Sequence, residues 1–223
     1  MTISNININK IKGVIFDLDG VLIHTDKLHF QAWKKLADSI HVYFDEKINE
    51  RLRGVSRMAS LKIILENAEN QFSETEKELL AAEKNETYRE LLKTLTPSDI
   101  SQDVRQTLKN LREKGLKLAV GSSSKNAKYI LSYTELSDAL DAVSDGNNIA
   151  KSKPDPEVFL KAAEFLGLSP QECLVVEDAE SGIEAAKAGG FTAVGIGSAA
   201  RDARADYSII KLSDLEKILE NAE

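Results

Sequence analysis

Residues Gly13–Gly20 read GVIFDLDG, and this stretch decides the fold. Gly13–Phe16 form a continuous apolar run, as a strand buried on both faces requires. The run ends at Asp17–Leu18–Asp19–Gly20. There, two carboxylates two residues apart precede a glycine that permits a tight turn. Four further runs come later: Leu116–Val120 (LKLAV), Cys173–Val176 (CLVV), Thr192–Ile196 (TAVGI) and Tyr207–Ile210 (YSII). The last three alternate with helical stretches. Ser181–Ala188 stops at Gly189–Gly190, a helix-stop signal. Asp103–Lys114 carries Val104, Leu108 and Leu111 on one stripe and stops at Gly115. The expectation is an α/β fold, a Rossmann-like parallel sheet with flanking helices.

One region breaks the alternation. From about Thr25 to Leu95 the periodicity is helical and no strand is evident. Leu28, Ala32 and Leu36 share a stripe, as do Leu61, Ile64 and Leu65, and Glu78–Leu92 is a long helical pattern. About seventy helical residues inserted after the first strand predict a separate helical unit. Thr96–Pro97–Ser98–Asp99 reads as its return hinge, since proline restricts the residue before it. The expected division is a helical cap at 25–97 and an α/β catalytic core at 1–24 plus 98–223.

Composition excludes several classes. The chain has 223 residues, 42% apolar and 29% charged, with a net charge of −7. No run of Lys or Arg suggests a nucleic-acid partner. No apolar run approaches the ~20 residues that span a bilayer. MTISNININK lacks the apolar region of a signal peptide. The expectation is a cytoplasmic protein, a monomer, acting on a small molecule. Cys173 is the single cysteine and reads as a small buried hydrophobe.

In open parallel sheets, ligands bind outside the carboxyl ends of the strands. The residues just beyond each run are therefore informative. Asp17 and Asp19 suit a nucleophile and an acid/base, although in isolation the pattern fits a solvated turn equally well. Gly121–Asn126 (GSSSKN) offers hydroxyls, backbone amides and a Lys for a phosphate. Lys153 in KPDP can neutralise a transferring phosphoryl group, although singly it reads as a surface lysine. Glu177 and Asp178 suit a hard cation such as magnesium, or else favour the start of a helix. The four segments have one order along one predicted sheet edge. They are the parts that phosphoryl transfer needs: positioning and charge neutralisation.

Together FDLDG, GSSSKN, KPDP and VVEDAESG resemble the motifs of the haloacid-dehalogenase-like superfamily, over nearly the whole chain from Lys12 to Ile210. Within it, the helical insert resembles the cap of the subgroup that contains the β-phosphoglucomutases. Gly54–Val55–Ser56–Arg57 is similar to the phosphate-binding segment of those caps. His29 and Trp33 resemble early cap residues, and Lys84–Asn85 with Tyr88 a later cap motif. The resemblance implies Asp17 as nucleophile and Asp19 as general acid/base, assisted by His29. It implies one Mg²⁺ per chain on Asp17, the Asp19 carbonyl, Glu177 and Asp178. Ser122, Lys125 and Lys153 would hold the transferring phosphoryl. Thr25, Trp33, Gly54, Val55, Ser56, Arg57, Lys84, Ser124 and Asn126 would meet the sugar phosphate.

The implied reaction interconverts β-D-glucose 1-phosphate and glucose 6-phosphate through an aspartyl-phosphate. Glucose 1,6-bisphosphate is its intermediate and activator. A phosphatase of the same fold shares every core residue, so only the cap speaks against it. An inactive sugar-phosphate-binding protein is expected to lack one of Asp17, Asp19, Lys153 or Asp178, and all four are present. One position departs from the pattern: His24 stands before Thr25 where many relatives carry Asp.

Overall fold

The structure is a computed structural model and describes residues 10–52 and 55–220. β1 (Gly13–Phe16) leads directly into four helices: α1 (Asp26–Ser39), α2 (Glu46–Glu50), α3 (Arg57–Ile64) and α4 (Glu74–Leu92). The chain then alternates: α5 (Gln102–Glu113), β2 (Lys117–Gly121), α6 (Ala127–Tyr133), β3 (Ala142–Ser144), α7 (Glu157–Leu166) and β4 (Cys173–Glu177). It ends with α8 (Glu180–Ala188), β5 (Thr192–Gly195), β6 (Tyr207–Ser208) and α9 (Asp214–Glu220).

The six strands form one parallel sheet in the order β3-β2-β1-β4-β5-β6. This is the doubly wound order, and the strand sequence reverses between β1 and β4. Both faces are covered, as a parallel sheet requires. Val14, Phe16, Leu118, Val120 and Val176 pack on one face with Val104, Leu108, Leu111 and Ile130. Ile15, Ala119 and Val175 point to the other and meet Phe159, Ala162, Ile183 and Ala186. The period-2 alternation of the strands thus divides one apolar run between two cores.

The sequence reading gives five strands, and the structure adds β3. That strand is three residues at the sheet edge, AVS, with one large apolar side chain, Val143. It gains its place by pairing with Ala119–Gly121 rather than by its own pattern. The run YSII is a strand only at Tyr207–Ser208, and Ile210 is exposed.

Among the described residues 25–95 contain no strand. Trp33, Leu36, Ala37, Val42, Phe44, Leu61, Ile64 and Ala81 form a cluster of their own. Helix α4 begins four residues earlier than its apolar pattern because Ser73 and Glu76 make a reciprocal capping box. Its other end differs. Tyr88 and Leu92 enter the core cluster beside Leu18 and Ile23, which fixes the base of α4 on the sheet.

Candidate active site

The register sets the site. Phe16 pairs with both Val120 and Val176, so β1, β2 and β4 end level with one another. The next residues, Asp17, Gly121 and Glu177, therefore stand side by side at the carboxyl edge. The Asp17 amide donates to the Val176 carbonyl at 2.9 Å, holding its side chain at the point where the strand order reverses. Gly20 has φ +91°, and a Cβ there would lie 2.1 Å from Asp178 Oδ2. Gly182 likewise leaves room for Glu177, since a Cβ would sit 1.9 Å from its Cδ. Both glycines let the chain approach the acids closely.

Lys153 reaches this edge from the loop after β3. Its Nζ donates to Asp17 Oδ1 at 2.6 Å and Glu177 Oε1 at 2.5 Å, with all three side chains buried. It is therefore an internal counter-ion, not a surface lysine. After β2, the Ser124 amide donates to Ser122 Oγ and the Asn126 amide to Ser124 Oγ, each at 3.2 Å. These bonds curl the hydroxyl loop towards α6. Gly146 donates to the Ser124 carbonyl at 3.1 Å, so the turn after β3 braces that loop.

The helices roof the edge. A cavity of about 540 Å³ is lined below by Asp17, Asp19, Ser122, Ser124, Lys125, Asn126, Lys153, Glu177 and Asp178. Above, it is lined by His29, Trp33, Val55, Ser56, Arg57 and Lys84. Ser56 caps α3 by accepting from the Ala59 amide, which places Arg57 at the first turn. Thr25, at the start of α1, donates its hydroxyl to Asp19 Oδ1. Gly54 lies outside the described residues. His29, expected to assist Asp19, makes its contacts elsewhere: its Nδ1 meets Lys84 Nζ at 2.9 Å, and its ring stacks on Tyr88 at 4.0 Å. Trp33 is buried in the helical cluster with Leu36 and Leu61, with Lys84 Nζ 4.6 Å from its ring centre.

A family model described as haloacid dehalogenase-like hydrolase matches residues 11–190. The chain belongs to the haloacid dehalogenase-like hydrolase family. Curated relatives include a β-phosphoglucomutase of Bacillus subtilis, 43% identical over 92% of this chain and 91% of that protein. Another is a phosphorylated carbohydrates phosphatase of Thermotoga maritima, 34% identical over 81% of this chain and 82% of that one. A crystal structure of β-phosphoglucomutase from Clostridium difficile superposes with a TM-score of 0.88 at 38% identity, covering 95% of this chain and 97% of that one. The chain is thus an enzyme of the haloacid dehalogenase-like hydrolase family, and no helix among its described residues is long and apolar enough to cross a membrane.

The electrostatics of this family member fit a divalent cation. Oxygens of Asp17, Glu177 and Asp178 lie within 4.8 Å of one another, a hard-donor set. Asp178 is pushed up to about 8, by burial and then by the Asp17 and Glu177 charges. Asp19 is pushed up to about 7, by burial and the Asp17 carboxylate. Glu177 also rises through burial, although Lys153 opposes this. Four carboxyl groups, Asp17, Asp19, Glu177 and Asp178, thus share this edge with the Lys153 ammonium. Above the edge the shifts reverse: burial and Arg57 bring Lys84 down to about 7, and burial and Lys84 hold His29 well below its usual value.

These shifts predict how magnesium affects stability. Acids raised in the fold bind more protons folded than unfolded, so their contribution falls as pH rises from about 4 to about 8. His29 and Lys84, both lowered, act in the opposite sense. The quantity to read is therefore the magnesium-dependent increment in Tm. It should be larger at about pH 8 than at about pH 5.5, because the ion takes deprotonated carboxylates. An increment that shrank with pH would remove these acids as its ligands.

Two groups escaped the sequence reading. Asp145, directly after β3, is fully buried at the sheet edge. A search of every strand end would have met it, had β3 been visible. Asp26, at the start of α1, lines the cavity beside Asp19. It carried only the signal of a first-turn acid.

Proposed function

We propose that this enzyme is a magnesium-dependent β-phosphoglucomutase that interconverts β-D-glucose 1-phosphate and glucose 6-phosphate. Residues 25–97 serve as its cap. The observation that carries the proposal is a single cavity lined by Lys125 and Lys153 from the core and by Arg57 from the helical insert. A bisphosphate needs a grip on one phosphate while the other reacts, and a plain phosphatase needs only one. The 43% identity to a β-phosphoglucomutase supports the same reading.

In this reading Asp17 carries the phosphoryl group. Phospho-Asp17 gives it to the C6 hydroxyl of β-glucose 1-phosphate, and Asp19 takes the hydroxyl proton. The glucose 1,6-bisphosphate turns round in the cavity. Asp17 then attacks the C1 phosphoryl, and Asp19 returns the proton to the departing C1 oxygen. A pKa of about 7 lets Asp19 serve both as acid and as base near neutrality. Ser122 and Lys153 hold the phosphoryl oxygens, while Asp17, the Asp19 carbonyl, Glu177 and Asp178 are the residues that would hold the metal. Magnesium supplies charge neutralisation of the phosphoryl oxygens. Arg57, a planar fork, grips the remote phosphate.

The test supplies the enzyme with Mg²⁺, β-glucose 1-phosphate and a trace of glucose 1,6-bisphosphate. Glucose 6-phosphate and free phosphate are assayed together. Isomerisation far faster than phosphate release is expected. Arg57→Ala should lower kcat/KM for isomerisation by on the order of 100-fold, the loss of a charge-assisted bidentate grip. The 34%-identical relative favours a phosphatase as the second reading. Free phosphate as the main product, with Arg57→Ala scarcely affecting it, would establish that instead.

A further inference from the structure

Beyond the cavity, α4 of the cap crosses α6 of the core along a short row of side chains. Asn126 Nδ2 donates to Asn85 Oδ1 at 2.9 Å. One turn further along both helices, Arg89 donates to Tyr129 Oη at 3.0 Å, and its guanidinium carbon lies 4.7 Å from the centre of the same ring. Arg89 therefore both stacks on and hydrogen-bonds to one side chain. Glu86, on the preceding turn of α4, accepts from Arg89 Nη1 at 3.4 Å and holds it in place. Tyr129 is 44% exposed, so burial alone does not hold it against α4.

The position of this pair gives it a consequence. Asn126 is the residue before α6 and ends the hydroxyl loop that faces Asp17. Asn85 comes directly after Lys84, which faces the same cavity. Whatever holds α4 on α6 also sets the distance between the two walls of the site. We propose that Arg89 and Tyr129 are positioning residues that latch the cap helix onto the core. They keep water from phospho-Asp17. This rests on the phosphoenzyme reading above.

The experiment compares Arg89→Ala, Tyr129→Leu and the double variant with the parent. The phosphoenzyme is formed with acetyl phosphate and Mg²⁺, and its hydrolysis is followed by release of inorganic phosphate. Amide hydrogen exchange is recorded over 84–92 and 126–133. Each single variant should hydrolyse the phosphoenzyme about two- to five-fold faster and exchange faster along both segments, as loss of one cation–π and hydrogen-bonded pair implies. The double variant should match the singles, since either change removes the same contact. Arg89→Lys, which keeps the charge over the ring, should recover part of the protection. Unchanged hydrolysis and exchange, or additive effects in the double variant, would overturn the latch. If the parent forms no phosphoenzyme, the reaction assignment fails separately. The latch is then decided by exchange alone: faster exchange in both segments supports it, and unchanged exchange removes it.

Discussion

Asp17→Asn is expected to stop turnover, lowering kcat by on the order of 10⁴-fold or more, while the protein remains folded. The amide retains the shape of the carboxylate but has no charge with which to attack phosphorus. The fold should tolerate the change for an electrostatic reason. Asp17 sits among Asp19, Glu177 and Asp178, and its charge raises the pKa of each. Removing it relieves repulsion, and Lys153 keeps Glu177 as a partner at 2.5 Å. The variant should therefore melt at or near the parent temperature without magnesium and gain less from magnesium. Parallel measurement of kcat and of Tm with and without Mg²⁺ checks both halves. Normal turnover would remove Asp17 as the nucleophile.

The sequence reveals the core of this site because strands buried on both faces leave continuous apolar runs. A parallel sheet then brings the residue after each run to one edge. Asp17, Ser122, Glu177 and Asp178 are all found this way. Lys153 is harder to see. It comes after β3, a strand too short and too small in its side chains to be read, and is buried by two carboxylates that come from β1 and β4. Nothing local distinguishes it from an exposed lysine. The helical insert shows the same limit. Helical stripes place Leu36, Leu61 and Ile64 inside it. The pairing of His29 with Lys84, 55 positions away, is a tertiary contact with no trace in the spacing. Nor does the spacing show that Asn85 meets Asn126 across the cleft. Periodicity reports which face of an element is buried, and it is silent on which element arrives to bury it.

That distinction makes Lys153→Met the informative counterpart of Asp17→Asn. Methionine approximates the length and volume of the lysine stem but leaves two buried carboxylates with no ammonium. Breaking a buried ion pair from one side costs about 3–5 kcal/mol, since the remaining charge stays desolvated. Here a single lysine serves both Asp17 and Glu177, so the cost should fall at the upper end of that range in metal-free protein near neutral pH. Two conditions should narrow the gap to the parent. Lower pH protonates the abandoned carboxylates, and magnesium supplies a replacement cation beside them. Turnover should not recover with stability, because the ammonium proposed to neutralise the transferring phosphoryl group is still missing. Urea unfolding in chelator and in Mg²⁺, together with kcat, separates the two roles. A variant as stable as the parent in chelator would mean that the Lys153 ammonium does not balance these acids. Recovery of kcat with magnesium alone would make Lys153 a structural counter-ion and leave phosphoryl neutralisation to the metal.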